Sequence, residues 1–202
     1  MLKKPYYQED GISIYHGDSQ KNLPTFGKFD LLLTDPPYGI NAPKQKLGSG
    51  QQKFYRGNLD WDSMIPNLAQ MIEICDFQCI WGGNYFTDQL PANNHWLIWD
   101  KNNPNLSFSE AELAWTNFGC QTRIKTHHRG NEKKQHPTMK PLAVMRWCIK
   151  LAPKANTIFD PFMGSGTTLL AAKLEGLNCI GCDLEEKYCE IAADRLRQGV
   201  LF

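Results

Sequence analysis

No run in this 202-residue chain approaches the roughly 20 consecutive apolar residues of a membrane-spanning helix. No apolar stretch follows Lys3 and Lys4, so no secretory leader is expected and the setting is expected to be cytoplasmic. Neither sign of charge is in excess: the formal net charge is +1, which excludes a globally basic coat and makes any surface for a polyanion local. A disulfide framework is not expected either. The seven cysteines are odd in number and scattered through apolar runs, so reduced, buried thiols are expected. The single Cys179-Ile180-Gly181-Cys182 has no second pair to complete a metal site, and Cys120, His127 and His128 lack ligand spacing. Residues three apart on a strand point to opposite faces, so Cys179 and Cys182 are read as core thiols, and no metal is expected.

Hydrophobic content of 42% suffices for a core, and the length fits one domain over 1–202. Short apolar runs predict strands at Ile12–Tyr15, Phe29–Leu33, Phe77–Trp81, His95–Trp99, Asn156–Asp160 and Asn178–Cys182. Glu110–Trp115 and Gln121–Lys125 read as further strands, paired antiparallel. Helical spacing predicts helices over Ser63–Cys75, Asn84–Leu90, Pro141–Leu151, about Pro161–Glu175 and Glu186–Arg197, with Asp18 or Ser19 capping another. Alternation of this kind means an α/β domain with a mostly parallel sheet.

Two turns carry chemistry. The first, Thr34-Asp35-Pro36-Pro37-Tyr38, closes the strand at Phe29–Leu33. Its prolines lack N–H donors and fix φ, and the residue before each is held extended. The product is a stiff cluster of acceptors, the Asp35 carboxylate and the Asp35 and Pro36 carbonyls, beside a flat ring. No cation or nucleophile belongs to it. It suits an amino group on a flat base, or is simply a proline turn.

The second turn is Asp160-Pro161-Phe162-Met163-Gly164-Ser165-Gly166-Thr167, between a strand and a helix, with Asp183 ending the next strand. Gly164 and Gly166 permit close approach of backbone to a ligand, and Asp183 can accept both hydroxyls of a ribose. The third glycine of a dinucleotide site and the lysine of a phosphate loop are both missing. Asp160 disfavours a pyrophosphate and favours an ammonium group. The ligand that fits is a nucleoside carrying an amino acid, S-adenosylmethionine. Two such sites at the carboxyl ends of neighbouring strands would share a crevice, which implies methyl transfer to an exocyclic amine.

With these motifs in this order, the chain resembles the β-class DNA amino-methyltransferases, which act on adenine N6 or cytosine N4. The resemblance rests on Asp35 to Tyr38, on His136-Pro137-Thr138-Met139-Lys140-Pro141, on Asp160 to Thr167, on Gly17-Asp18, and on Trp81 to Phe86 with Trp99-Asp100-Lys101. It implies a circularly permuted, Rossmann-like sheet of seven strands, one antiparallel, with helices on both faces. It also implies Asp35, Pro36, Pro37 and Tyr38 as the catalytic turn. Asp18 would contact the cofactor adenine and Asp183 the ribose, and Asp160, Phe162, Gly164, Ser165, Gly166, Thr167 and Lys140 would surround the methionine part. Asp before Pro-Pro-Tyr leans to adenine. Cytosine N4, RNA adenine, protein glutamine and a non-catalytic DNA-binding subunit are the alternatives. Cytosine C5 is excluded because no cysteine follows a proline.

The partner implied is double-stranded DNA. Residues 41–58 contain Lys44, Lys46, Lys53 and Arg56 and no acid, and read as a mobile basic loop beside the catalytic turn. Arg123, Lys125, Arg129, Lys133 and Lys134 make a second basic stretch, within a small target-recognition insertion at 101–135. So small an insertion implies a short or relaxed target site, or a homodimer sharing the DNA.

Overall fold

The computed structural model describes residues 4–22, 26–42, 60, 62–103, 109–128 and 139–198. The elements run β1 (Tyr7–Glu9), β2 (Ile12–His16), α1 (Ser19–Asn22), β3 (Phe29–Thr34), α2 (Ala69–Glu73), β4 (Cys75–Trp81), a 3-10 turn (Gly83–Tyr85), β5 (Trp96–Asp100), β6 (Ala111–Thr116), β7 (Arg123–Thr126), α3 (Leu142–Leu151), β8 (Thr157–Asp160), α4 (Thr167–Leu174), β9 (Asn178–Asp183) and α5 (Glu186–Gln198). Among the described residues no helix is long and apolar enough to cross a membrane.

Nine strands form one sheet in the order β1-β2-β9-β8-β3-β4-β6-β5-β7. Every pairing is parallel except those made by β1 and β6, so β2, β9, β8, β3, β4, β5 and β7 all run one way. This is the mostly parallel, Rossmann-like sheet expected, with nine strands where the resemblance implied seven. The C-terminal strands β8 and β9 lie between β2 and β3, which brings the two chemistry-bearing turns to the same edge.

Alternation along the strands sorts the core into two faces. Leu31, Leu33, Ile158, Cys79 and Cys179 pack with the buried sides of α3, α4 and α5. Leu32, Phe159, Ile80 and Cys182 pack on the other face with Phe26, Leu68, Met71 and Phe86. Cys179 and Cys182 thus fall on opposite faces, and all seven cysteines are free thiols.

Several expectations are corrected. The helix predicted over Ser63–Cys75 is only Ala69–Glu73, and Cys75 begins β4. Pro66 cannot continue the helical ladder, and Met64 and Ile65 are 77% and 48% exposed rather than packed in a core. The helix expected over Asn84–Leu90 is replaced by the 3-10 turn at Gly83–Tyr85. β6 is antiparallel to β4 and β5, whereas β7 pairs parallel with β5 and not with β6. Strand β1 was not anticipated; it is joined to β2 by Asp10-Gly11, both at positive φ. Within 101–135, residues 111–116 and 123–126 are sheet strands.

Candidate active site

Strands β3 and β8 are parallel neighbours, paired Leu31 to Ile158 and Leu32 to Phe159. Their carboxyl ends therefore deliver Asp35 and Asp160 side by side. Thr34 Oγ1 donates to Asp160 Oδ1 at 2.7 Å, a buried bond between residues 126 positions apart in the chain. A cavity of about 490 Å³ opens at this edge, within the usual size of a small-molecule site. Its wall includes Asp18, Asp35, Pro37, Lys140, Asp160, Phe162, Gly164, Ser165, Thr167 and Asp183. Pro36, Tyr38 and Gly166 are not among its lining residues.

The glycine turn is built as its sequence suggests. Gly166 has φ +76°, and a Cβ there would come within 2.6 Å of Ala192 Cβ, so α5 packs directly on the turn. Gly164 has φ +50° with open space where its Cβ would be. Arg195 Nη1 donates to the Ser165 carbonyl at 2.6 Å and to Thr167 Oγ1 at 3.1 Å, fixing the turn from α5. Asp183 accepts from the backbone N–H of Gly164 at 3.0 Å and of Glu185 at 2.8 Å. Asp18 Oδ1 accepts from Gln20 N–H at 3.0 Å and caps α1, as expected.

Burial pushes the carboxyls of Asp160 and Asp183 up to about 6, against the hydrogen bonds that pull them down. A carboxyl raised above its unfolded value binds more protons folded than unfolded between those two values. Stability of the ligand-free fold contributed by these groups therefore rises as pH falls from about 6 toward 4. Asp160→Asn is expected to flatten that slope in urea unfolding measured across this range.

The Asp35–Tyr38 turn contains what its own sequence does not reveal. Asp35 Oδ1 accepts from the Tyr38 hydroxyl, and Asp35 Oδ2 accepts from Lys140 Nζ at 2.5 Å. A cation therefore does belong to this cluster, brought by the chain just before α3. Lys140 is thus paired with the carboxylate of the first turn. Its Nζ also lies 3.0 Å from Glu112 Oε2, and Lys101 Nζ lies 2.7 Å from Glu112 Oε1. Burial pushes the Asp35 carboxyl up and outweighs the pull of Lys140, with Glu112 adding to the rise. Burial also acts to raise Glu112, but Lys140 and Lys101 together hold it down at about 2. Lys140 is raised, because the two carboxylates outweigh its burial.

Tyr38 stacks on Tyr85, centroids 4.8 Å apart and planes 14° apart, with Phe86 edge-on at 6.3 Å. Gly82, at φ +68°, lets the ring lie against the backbone; a Cβ there would come within 2.1 Å of it. The backbone of the turn is held by Asp62, which is nearly fully buried. Asp62 Oδ1 accepts from Tyr38 N–H at 2.6 Å and Gly39 N–H at 2.8 Å, and Oδ2 from Ala42 N–H at 2.9 Å. Asp62→Ala leaves three amide donors without an acceptor and is expected to cost about 3 kcal/mol in urea unfolding. Asp62→Asn keeps the Oδ1 pair and should cost less.

Tyr85 and Lys101 fall in runs that carry the resemblance but have no role assigned by it, and Asp62 and Glu112 fall in no motif. Of the expected DNA contacts, Arg123 is exposed and Lys125 half-buried on the outer strand β7, away from the cavity wall. Lys44, Lys46, Lys53, Arg56, Arg129, Lys133 and Lys134 lie outside the described residues.

A mostly parallel α/β sheet with a carboxylate turn and a glycine turn at one carboxyl edge defines a Rossmann-like methyltransferase fold. A family model described as DNA methylase (N6_N4_Mtase) matches residues 80–194, just over half the chain. The chain is similar to the type II methyltransferase M2.LlaDCHI of Lactococcus lactis subsp. cremoris, 26% identical over 100% of this chain and 95% of the relative. It is also similar to M.ScaI of Streptomyces caespitosus, 25% identical over 96% of this chain and 84% of the relative. These alignments extend over 261 and 256 positions, more than this chain's 202, so the relatives contain inserted residues. Among solved structures, the M1.HpyAVI–SAM complex superposes with a TM-score of 0.61 at 27% identity, covering 92% of this chain and 98% of that one. The cytosine-N4-specific PvuII DNA methyltransferase, at 16% identity and TM-score 0.68 over 95% of this chain and 88% of that one, shares the fold. The chain belongs to the DNA methylase family, as a β-class amino-methyltransferase.

Proposed function

We propose that the protein transfers a methyl group from S-adenosylmethionine to the exocyclic N6 of an adenine flipped out of double-stranded DNA. The observation that supports this most directly is the shared cavity: Asp35 of the acceptor turn lines the same wall as Asp160, Gly164 and Asp183 of the glycine turn.

The adenine N6 lone pair is delocalised into the ring and is a poor nucleophile. The Asp35 carboxylate and the Pro36 carbonyl accept its two hydrogens and localise that lone pair on nitrogen. Each carboxylate oxygen has more than one acceptor site, so the bonds from Tyr38 and Lys140 leave Asp35 capacity for the amine. The nitrogen attacks the sulfonium methyl. The C–S bond breaks as the N–C bond forms, its electron pair stays on sulfur, and the ammonium proton passes to Asp35 or water. Fixed position and fixed dipoles supply the rate. Asp183 takes the ribose hydroxyls and Asp18 faces the adenine of the cofactor. Asp160, Phe162, Ser165, Thr167 and the two glycines surround the methionine part. Tyr38 provides the face for the target base, whose extrusion costs roughly a few kcal/mol.

DNA is engaged by Lys44, Lys46, Lys53 and Arg56 and by Arg123, Lys125, Arg129, Lys133 and Lys134. Because β6 and β7 belong to the sheet, target reading within 101–135 falls to the segments that connect the strands. A short or relaxed target, or a homodimer, follows from that size.

The test is incubation with isotopically labelled S-adenosylmethionine and unmethylated duplex DNA, followed by mass spectrometry of the nucleosides. N6-methyladenine is expected. N4-methylcytosine would move the target to the other amino-bearing base, and no label in DNA would overturn the reading.

A further inference from the structure

Lys140 is shared between two carboxylates that come from the two strands flanking β4. Asp35 ends β3, and Glu112 lies on β6, where it sits opposite Trp99 of β5. Lys101 follows β5 and is tied back to β6 by its N–H bond to the Glu110 carbonyl at 2.9 Å. The four charges alternate in sign along one line: Lys101 to Glu112 to Lys140 to Asp35. The two cations are the buried members, with side chains 5% and 4% exposed, while Asp35 and Glu112 are 22% and 28% exposed. Lys140 Nζ also lies 5.4 Å above the Trp81 ring and Lys101 Nζ 5.5 Å above Trp99. Neither ammonium has bulk water to fall back on, so each depends on the carboxylates it touches.

We propose that Glu112 and Lys101 are positioning residues for methyl transfer, setting through Lys140 the place and the charge balance of the Asp35 carboxylate. This rests on the reading of Asp35 as the acceptor of the target amine. Lys101 occupies one oxygen of Glu112, which leaves the other for Lys140. Glu112 in turn holds part of the Lys140 ammonium away from Asp35. Asp35 is thus held in place by Lys140, yet not so tightly neutralised that it cannot accept hydrogens from a neutral amine or take up the proton afterwards. The groups facing Asp35 are Tyr38 on its own turn, Lys140 ahead of α3, Glu112 on β6 and Asp160 at the end of β8. Tyr85 faces it only through the Tyr38 ring. Of these, Glu112 is the group that can be neutralised at constant shape without touching the cofactor wall, which does not include it.

The device predicts shifts of opposite sign. In Glu112→Gln, Lys140 turns wholly to Asp35, and the Asp35 titration moves down by about one pH unit. In Lys101→Met, Glu112 draws Lys140 toward itself, and the Asp35 titration moves up by about half a unit. The measurement is the pH dependence of the Asp35 carboxyl carbon by NMR in the free protein, which needs no activity. It is paired with the acid limb of single-turnover methyl transfer to DNA. Opposite shifts in both readouts are the expected result. Unshifted titrations, or both variants moving the same way, overturn the proposal, because simple damage to packing produces no lowering in Glu112→Gln. Thermal melting checks that each variant is folded. Lys101→Gln replaces Lys101→Met where methionine does not fold, and the sign of the Glu112→Gln shift decides alone if neither Lys101 variant does. A protein that shows the opposite NMR shifts but transfers no methyl group to DNA retains the charge line and loses the methyl-transfer reading instead.

Discussion

Asp35→Ala is expected to lower single-turnover methyl transfer by about 10³-fold or more while leaving S-adenosylmethionine binding within a few-fold of the parent. The carboxylate is the one charged acceptor on the turn, held by Tyr38 on one oxygen and Lys140 on the other. Its removal takes away the group that localises the amine lone pair, and the Pro36 carbonyl alone cannot orient both hydrogens. The glycine turn across the shared cavity is held by bonds that do not involve Asp35, from Arg195 to the Ser165 carbonyl and from the Gly164 N–H to Asp183, so affinity for the methyl donor should survive. Asp35→Asn sharpens the point. It preserves shape but puts an amide donor where an acceptor is needed, against either the Lys140 ammonium or the substrate amine, and is expected to be nearly as inactive. Equal loss of cofactor binding and transfer in both variants would instead mean that the turn supports the cofactor site.

A loss of folding stability as large as that of Asp62→Ala is expected for Lys140→Met. The substitution fills a similar volume but leaves Asp35 and Glu112 facing one another without the cation between them. Breaking such a buried pair by removing one partner costs about 3–5 kcal/mol. Both acids keep an exposed edge, so a value near 3 is expected in urea unfolding at neutral pH. The effect depends on pH with a definite sign. Glu112 is held at about 2 when folded, below its unfolded value, so its contribution is fully present above about pH 4.5 and is lost as pH falls through about 2. The gap between parent and Lys140→Met should therefore shrink on acidification through that window. A gap that stays constant would assign the loss to packing of the lysine stem on Trp81.

The parts of the fold and site that are legible in the sequence are those whose signals are local. Asp35-Pro36-Pro37-Tyr38 and the Gly164–Gly166 turn each announce their geometry within a few residues, and the strands feeding them are short apolar runs. Asp10-Gly11 was equally local, a hairpin dipeptide at positive φ that should have indicated β1. The helix placed over Ser63–Cys75 failed because apolar spacing cannot distinguish a core face from a cavity wall. Met64 and Ile65 satisfy the spacing but line the cavity beside Asp60 and Ser63. Pro66 was the contrary signal. The roles of Asp62, Lys101 and Glu112 were beyond reach for another reason. An isolated acid or lysine acquires meaning only from partners brought by other strands, and those contacts exist only once β6 has been inserted between β4 and β5.

The stacked pair of Tyr38 and Tyr85 changes how arrival of a target base should be understood. The ring proposed to receive the base has a flat partner of its own at 4.8 Å. Base entry is then an exchange of one ring for another rather than the filling of an empty slot. The roughly 1–3 kcal/mol that stacking returns per base is largely offset by the stack that is given up, so stacking shelters the site at little net gain. Selection among flipped bases falls to the proposed hydrogen-bond acceptors of Asp35 and Pro36, which an amino-bearing base satisfies with two hydrogens.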